Sequence, residues 1–338
     1  MNLTASDTIL VTGATGLVGG HVVESGLKTA AAVRAFVRPT SQTTLLEQWN
    51  VPVIRGEFHD AEALKTAMHG ATVVVNCAAK VGDWGPVEEY RQVNVIGLER
   101  LIEAAQNSGT LKRFVHLSSL GVYPARDHHG TDETVPPSAN GYDGYSRTKI
   151  EAENVIHAAI AAHRFPAVIL RPGFIYGPRD RTIFPKLLKN LHNGVFTYLG
   201  NGDKVLNNTY VGNLVQAIFL AIANDGGVAK TFNIRDGRLV SRREFVSAIC
   251  REAGYPLPTR TLPLGMARLV TRLMESFARL TGKQEAPLLS QARIKFLGLN
   301  LDFSIDKARR ELRYEPETDF RDAIVTTMDW FRDQRLIP

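Results

Sequence analysis

The sequence predicts an α/β fold: a doubly wound parallel sheet with helices on both faces and a smaller C-terminal α/β lobe. Three observations lead there. Short apolar runs bounded by turn residues alternate with longer helical stretches, the pattern of parallel strands joined by crossover helices. The first such run, residues 9–11 (ILV), opens into a loop with glycines at 13, 16 and 19 and then a helix. At 338 residues the chain is long enough to bury a full sheet core and a second lobe.

The glycine loop is the first element with chemical content. Glycine is needed where a backbone turns tightly or lies against a pyrophosphate with no Cβ in the way. The helix that follows presents unpaired N–H groups and a positive dipole end to phosphates. Gly13, Thr15, Gly16, Leu17, Val18 and Gly19 are therefore the candidate cradle of a dinucleotide, and the fold reads as Rossmann-type.

Residues 31–38 form the second strand, ending in Arg38 and followed by Pro39-Thr40-Ser41 with no carboxylate in reach. An acidic residue here takes the adenosine ribose hydroxyls, whereas an arginine accommodates a 2′-phosphate. The expected cofactor is NADP(H), with NAD(H) as the alternative. A third strand, 51–54, ends in Gly56-Glu57-Phe58, where Glu57 and Phe58 would border an adenine. A helix over 60–69 leads to a fourth strand, 71–75, and then Asn76-Cys77-Ala78-Ala79-Lys80. Small residues at that strand end let a cofactor lie against Ala78, Ala79 and Lys80, or equally let a helix pack.

Residues 80–90 (KVGDWGPVEEY) read as a loop beyond the strand ends, where open sheets bind ligands. Trp84 is either an apolar substrate wall or a packing tryptophan. A helix over 94–106 precedes the fifth strand, 113–118, which ends in Ser118-Ser119. Tyr145 and Lys149 then open a helix reaching about residue 163, and their i, i+4 spacing puts them on one face. A nearby ammonium and a hydroxyl donor such as Ser119 favour the phenolate. A shift of about two pKa units takes about 2.7 kcal/mol of differential interaction. Such a tyrosine can exchange a proton with a substrate oxygen.

Composition narrows the alternatives. The net charge of +6 is modest and its basic residues are scattered rather than massed with aromatics, which argues against nucleic acid as a partner. No apolar run approaches the roughly 20 residues that span a bilayer, and residues 1–7 have no signal-peptide pattern. Cys77 and Cys250 lie in no metal or redox spacing, which fits a reducing cytoplasm. His128-His129, with Asp127, Asp132 and Glu133, sit among turn formers and read as a solvated loop, so no metal is expected.

The ordered set TGATGLVG, NCAA, Asn94-Val95-x-Gly97, SSLGVY, YSRTK and RPGFIYGP resembles an extended short-chain dehydrogenase/reductase over essentially the whole chain. Each motif alone is weak; their order is specific. The nearest likeness is to the 3β-hydroxysteroid dehydrogenase-like and NAD-dependent epimerase/dehydratase group. The resemblance implies that Ser119, Tyr145 and Lys149 are catalytic, with Asn94 supporting a proton relay and Lys149 also binding the nicotinamide ribose. It implies that Ser118, Pro172, Gly173 and Ile175 run beside the cofactor. Trp84, Ser119, Tyr145 and Tyr176 would meet substrate.

Nucleotide-sugar relatives usually carry an arginine that grips a diphosphate where this chain has Leu206-Asn207, and Gly212 stands where they have an aspartate. Thr209-Tyr210-Val211-Gly212-Asn213 and AAKVGDWG resemble instead the 3β-hydroxysteroid dehydrogenases and reductases of long-chain 2-alkyl-3-oxo acids. The expected reaction is alcohol–ketone interconversion on a bulky apolar molecule. Arg179, Arg181 and Lys186 keep open an anionic ligand and a nucleotide-sugar epimerase, dehydratase or reductase. A non-catalytic NADP(H)-sensing module is a third reading.

Over 263–282, Met266, Leu269, Val270, Leu273, Phe277 and Leu280 share one helical face, with Arg268, Arg272 and Arg279 largely elsewhere. That segment reads as a surface helix of the lobe, a lid, or a basic helix in peripheral contact with a membrane. The expected division is a cofactor domain over 1–171 with a returning segment near 209–235, and a substrate lobe from 172–208 and 236–338. The resemblance also implies a homodimer through the helices near 90–106 and 145–163.

Overall fold

Valine, isoleucine and leucine fill the strand interiors so evenly that β1 (Thr8–Thr12) and β4 (Val73–Asn76) have no exposed position, as expected when both sheet faces are covered. The computed structural model describes residues 1–139, 141, 143–280 and 290–337, with side chains for all of these except 276–280. Between those two strands run α1 (Leu17–Gly26), β2 (Ala32–Val37), α2 (Thr44–Gln48), β3 (Val53–Arg55) and α3 (Ala61–Met68). A continuous helical rod follows: α4 (Val87–Arg91), a π turn (Gln92–Ile96) and α5 (Gly97–Asn107). It leads to β5 (Arg113–Leu117), a 3-10 turn (Leu120–Val122), β6 (His128–Thr131), α6 (Gly144–His163) and β7 (Ala167–Pro172).

The chain continues through β8 (Phe174–Tyr176), α7 (Phe184–His192), β9 (Tyr198–Leu199), β10 (Val205–Leu206) and β11 (Asn208–Tyr210). Then come α8 (Val211–Ala223), β12 (Thr231–Ile234), β13 (Val240–Ser241), α9 (Arg242–Ala253) and β14 (Thr261–Leu262). The last elements are α10 (Leu264–Leu280), α11 (Gln291–Gly298), β15 (Leu301–Phe303), α12 (Asp306–Leu312) and α13 (Phe320–Asp333).

Seven strands form one sheet in the order β12-β7-β5-β4-β1-β2-β3, every pair parallel. On one face α1, α8 and α12 bury Val22, Leu214, Ile218 and Leu312. On the other α3, α5 and α6 bury Leu64, Leu101 and Ile156. Each such side chain contributes about 1.5–3 kcal/mol by leaving water. Because β1 lies between β2 and β4, the chain winds outward both ways from it and leaves a crevice beyond the carboxyl ends. A second core, with Phe184, Leu188, Phe245, Ile249, Phe320 and Phe331, packs α7, α9 and α13 into the C-terminal α/β lobe.

Two expectations are corrected here. The loop expected over 80–90 stops at Pro86, which caps α4, and Tyr90 is buried on that helix. His128 does not lie in a solvated loop: it is 1 % exposed in β6, which pairs with β15, and it packs on Phe303. Its ring nitrogens are occupied by Thr131 Oγ1 and the Pro124 carbonyl, each at 3.0 Å.

The helix expected over 263–282 is present as α10, on the surface of the lobe. It packs inward through Ala267, Thr271 and Glu275 and leaves Met266, Leu269, Val270 and Leu273 exposed. Phe277, Arg279 and Leu280 have side chains outside the described set, and residues 281–282 of the expected helix lie outside the described residues. Among the described residues no helix is long and apolar enough to cross a membrane. Cys77 and Cys250 are both free.

Candidate active site

The glycine loop is held by contacts that only glycine allows. Gly13 has φ +64°, and a Cβ there would stand 2.8 Å from the Ala78 nitrogen at the end of β4. Gly16 N–H donates to the Gly13 carbonyl at 2.9 Å, and a Cβ on Gly19 would lie 2.2 Å from that same oxygen. The N-cap of α1 is Gly16, with no side-chain cap and no acid in the first turn, so Leu17 and Val18 present helix N–H groups to a ligand. Thr15 stands half-buried beside them. A close-packed glycine cradle under an uncapped helix N-terminus fits a dinucleotide pyrophosphate. Gly19→Ala must displace backbone, and a shift worth only about 1.4 kcal/mol weakens binding tenfold. Calorimetry should show NAD affinity reduced at least that much.

Beyond the loop, Thr12 Oγ1 donates to Asn76 Oδ1 at 2.6 Å and accepts from Ala78 N–H at 3.2 Å, tying the ends of β1 and β4 together. Asn76 Nδ2 meets His116 Nδ1 at 3.1 Å in the same buried cluster. Ala78, Ala79 and Lys80 follow as a half-buried ledge. The Lys80 ammonium pairs with Glu89. Phe58 packs against Phe36, ring centroids 5.6 Å apart, and against Gly97, whose Cβ position it would overlap. Glu57 is half-buried beside it. Arg38 is exposed and makes no side-chain hydrogen bond or ion pair among the described residues.

Asn94 sits in the π turn, a helical irregularity frequent at functional sites. Its Oδ1 accepts from Lys80 N–H at 2.8 Å, and its Nδ2 donates to the Lys80 carbonyl at 3.1 Å and Thr148 Oγ1 at 3.0 Å. Asn94 is thus a positioning residue that clamps the ledge to α6.

The capping box of Asp143 and Ser146 starts α6, fixing Tyr145 and Lys149 one turn apart over the end of β5. Ser119 Oγ accepts from Gly121 N–H at 3.0 Å, and Ser119 stands beside the Tyr145 hydroxyl, where it favours the phenolate. Lys149 is buried; its Nζ donates to the Leu117 carbonyl at 2.6 Å and lies 5.9 Å from the centre of the Tyr145 ring.

Burial pushes the Tyr145 phenol up to about 12, against the opposing hydrogen bond from Ser119. Burial also pushes Lys149 down to about 8, with Cys77 and Glu153 acting the other way. This corrects the expectation of a lowered tyrosine pKa: loss of water around the phenol outweighs the stabilisation that Ser119 provides. At neutral pH Tyr145 is therefore a neutral phenol.

Ser118 Oγ turns away from this trio and donates to Glu153. Glu153 takes both arms of Arg171, at 2.8 and 2.6 Å, and Arg171 donates onward to Tyr123 Oη at 2.8 Å. Sequence reasoning missed this buried chain, although an arginine inside the apolar strand AVILRP and a carboxylate four residues after Lys149 were visible signals. Pro172 and Gly173 end β7; Gly173 N–H donates to Thr209 Oγ1 at 3.1 Å, and Ile175 packs half-buried beneath the sheet core.

Of the expected substrate residues, Ser119 and Tyr145 meet, and Trp84 is half-buried in the loop after β4, its carbonyl accepting from Tyr90 Oη at 2.7 Å. Tyr176 is corrected: it is fully buried in the lobe core against Phe245 and donates to Asp236 Oδ2 at 3.1 Å. Leu206 is also buried in that core. Arg179 is held by Glu24 at 2.7 Å and lies over Trp49, while Arg181 and Lys186 are exposed.

Comparison with known proteins places this geometry. A model of the NAD dependent epimerase/dehydratase family matches residues 9–234. The chain is 32 % identical to a 3-beta-hydroxysteroid dehydrogenase of Mycolicibacterium neoaurum, over 96 % of this chain and 91 % of that protein. It is 30 % identical to a 2-alkyl-3-oxoalkanoate reductase of Stenotrophomonas maltophilia, over 94 % and 97 % respectively. In fold it resembles UDP-glucuronic acid 4-epimerase of Bacillus cereus, solved with UDP-glucuronic acid and NAD, with a TM-score of 0.77 and 22 % identity over 97 % of this chain and 99 % of that one.

The NADP(H) preference expected from Arg38 is corrected by these findings. The matching family is NAD-dependent, and similar structures solved with a dinucleotide hold NAD. Physically, the missing acid was read as a phosphate site, yet Arg38 is exposed, with nothing fixing its guanidinium beside the crevice. The chain belongs to the NAD-dependent epimerase/dehydratase family of extended short-chain dehydrogenases/reductases, a nicotinamide-dependent oxidoreductase/epimerase by descent.

Proposed function

We propose that the protein is an NAD(H)-dependent oxidoreductase that interconverts a secondary alcohol and a ketone on a bulky apolar substrate, sterol-like or long-chain 3-oxo/3-hydroxy in kind. The observation that carries this reading is the half-buried Tyr145 beside Ser119, with the buried Lys149 one helical turn away and its Nζ 5.9 Å from the Tyr145 ring centre. The relatives of 32 % and 30 % identity, named for a hydroxysteroid and an oxoalkanoate, support the substrate class. Leu206, folded into the lobe core where a diphosphate-gripping arginine is expected in sugar enzymes, agrees with it.

In this reading Gly13, Gly16, Gly19 and the start of α1 hold the pyrophosphate, and bound NAD supplies hydride exchange at the substrate carbon. Ser119 and Tyr145 hold the substrate oxygen, and Tyr145 Oη gives or takes its proton. Lys149 holds the cofactor ribose, and Asn94 keeps the ledge at Lys80 in place. Residues 1–171 with 209–235 serve the cofactor and the remainder covers the substrate, in a reducing cytoplasm that suits two free cysteines.

A nucleotide-sugar epimerase, dehydratase or reductase is the second reading. It is favoured by the fold likeness to an enzyme solved with UDP-glucuronic acid and by the exposed cations Arg181 and Lys186. A panel of 3-hydroxysteroids, 3-oxo acids and UDP-sugars with NAD(H) separates the two. Cofactor turnover on the apolar compounds supports the first reading, and saturable binding of UDP-sugars with epimerisation supports the second.

The protonation states give a further expectation. With the Tyr145 phenol held near 12, its proton is available for ketone reduction across neutral pH, so kcat/KM for reduction should stay level between about pH 6 and 7 and decline toward pH 8 as Lys149, pushed down to about 8, loses its charge. Alcohol oxidation needs the phenolate and should rise over that range. A pH profile in both directions checks this.

A further inference from the structure

The basic residues of α10 do not simply face solvent. Arg268 and Arg272, one turn apart, line a cavity of about 280 Å³ together with Lys295 of α11. Ile294, Leu299 and Ala125 supply its apolar walls, and among the described residues no carboxylate lines it. Neither arginine makes an ion pair among the described residues, and like charges at i, i+4 repel one another on a helix. Lys295 Nζ donates to the Gly121 and Tyr123 carbonyls at 2.6 and 2.7 Å, leaving one of its three N–H donors for a ligand. Glu275 Oε1 accepts from Gln291 N–H at 2.7 Å, and Asp143 caps α6.

The cavity adjoins the catalytic turn. Lys295 holds the Gly121 carbonyl, while Gly121 N–H donates to Ser119 Oγ. Its volume is below that of pockets enclosing a whole drug-sized ligand, about 300–1,000 Å³, so it suits one end of a longer molecule. Planar guanidinium groups match carboxylate and phosphate oxygens with paired hydrogen bonds.

We propose that this cavity binds the oxyanion terminus, a carboxylate or phosphate ester, of an apolar-chain substrate whose reacting carbon lies at Tyr145. The inference rests on the oxidoreductase reading for the placement of the reacting carbon. Its test needs no turnover, so failure of one is distinguishable from failure of the other.

Calorimetric titration of the cofactor-free protein with decanoate, decyl phosphate and decanol measures the preference directly. Decanoate or decyl phosphate should bind at least about tenfold more tightly than decanol, as expected for a charge-assisted pair. In Arg268→Gln/Arg272→Gln that preference should fall below about threefold, because the neutral amides lose the ionic component. Both arginines are exposed, so the fold should survive, and an unchanged decanol affinity shows intact apolar walls. No preference in the wild-type protein, or a preference that persists in the double variant, overturns the proposal. So does inorganic phosphate displacing decanoate at equal concentration, since it would mark a simple anion site with no use for the chain.

Discussion

Replacing Tyr145 with phenylalanine is expected to lower kcat by about 10²–10⁴-fold, the range by which a positioned acid/base accelerates proton transfer, while NAD affinity changes little. The substitution removes one oxygen from a half-buried side chain and leaves the ring in place. The glycine loop, the start of α1 and the Lys149–Leu117 hydrogen bond do not depend on that oxygen. Ser119 keeps its bond from Gly121 N–H and still meets the substrate oxygen, but no group remains there with a transferable phenolic proton. Steady-state rates and cofactor titration on the same preparation separate the loss of chemistry from loss of binding. Ser119→Ala should cost less, because the tyrosine remains.

Arg171→Met is expected to destabilise the fold by about 3–5 kcal/mol, the cost of leaving one partner of a buried ion pair alone. Arg171 and Glu153 are 5 % and 3 % exposed, and the carboxylate accepts two bonds from the guanidinium. Without Arg171, Glu153 retains only the Ser118 hydroxyl as a described partner in the low-dielectric space between α6 and the sheet. Tyr123 loses its donor as well, although it keeps its bond to Asn233 Oδ1 at 2.9 Å. Urea denaturation read by circular dichroism measures the change. Glu153 also favours the charged form of Lys149, so the buried pair joins stability to the catalytic helix.

Local chemistry made much of this fold readable before any coordinates. The apolar strand, glycine turn and helix at residues 8–26 are contiguous, and each residue's role follows from its neighbours. Tyr145 and Lys149 meet because helical spacing alone brings them onto one face. What escaped depended on distant partners. β6 exists because residues 301–303 arrive to pair with it, and that pairing buries His128.

Tyr176 belongs to the lobe core because it shares a strand face with Phe174, a period-two relation that a motif match overlooks. On α10 the small and polar Ala267, Thr271 and Glu275 take the inward face and the larger apolar side chains stay outside, a choice set by the partner surface rather than by the stripe. At Arg38 a single side chain was asked to decide between two dinucleotides. Its exposed position gives it no fixed place from which to do so.

Net hydride exchange between NAD(H) and the substrate carbon whose oxygen Tyr145 protonates can be followed with NADH carrying deuterium at both C4 positions. With a 3-oxosteroid or a long-chain 3-oxo acid, the label should appear on the new carbinol carbon with one equivalent of NAD⁺ released. Interconversion of UDP-sugar epimers with no net change in cofactor, and no label passed to any apolar ketone, would contradict it.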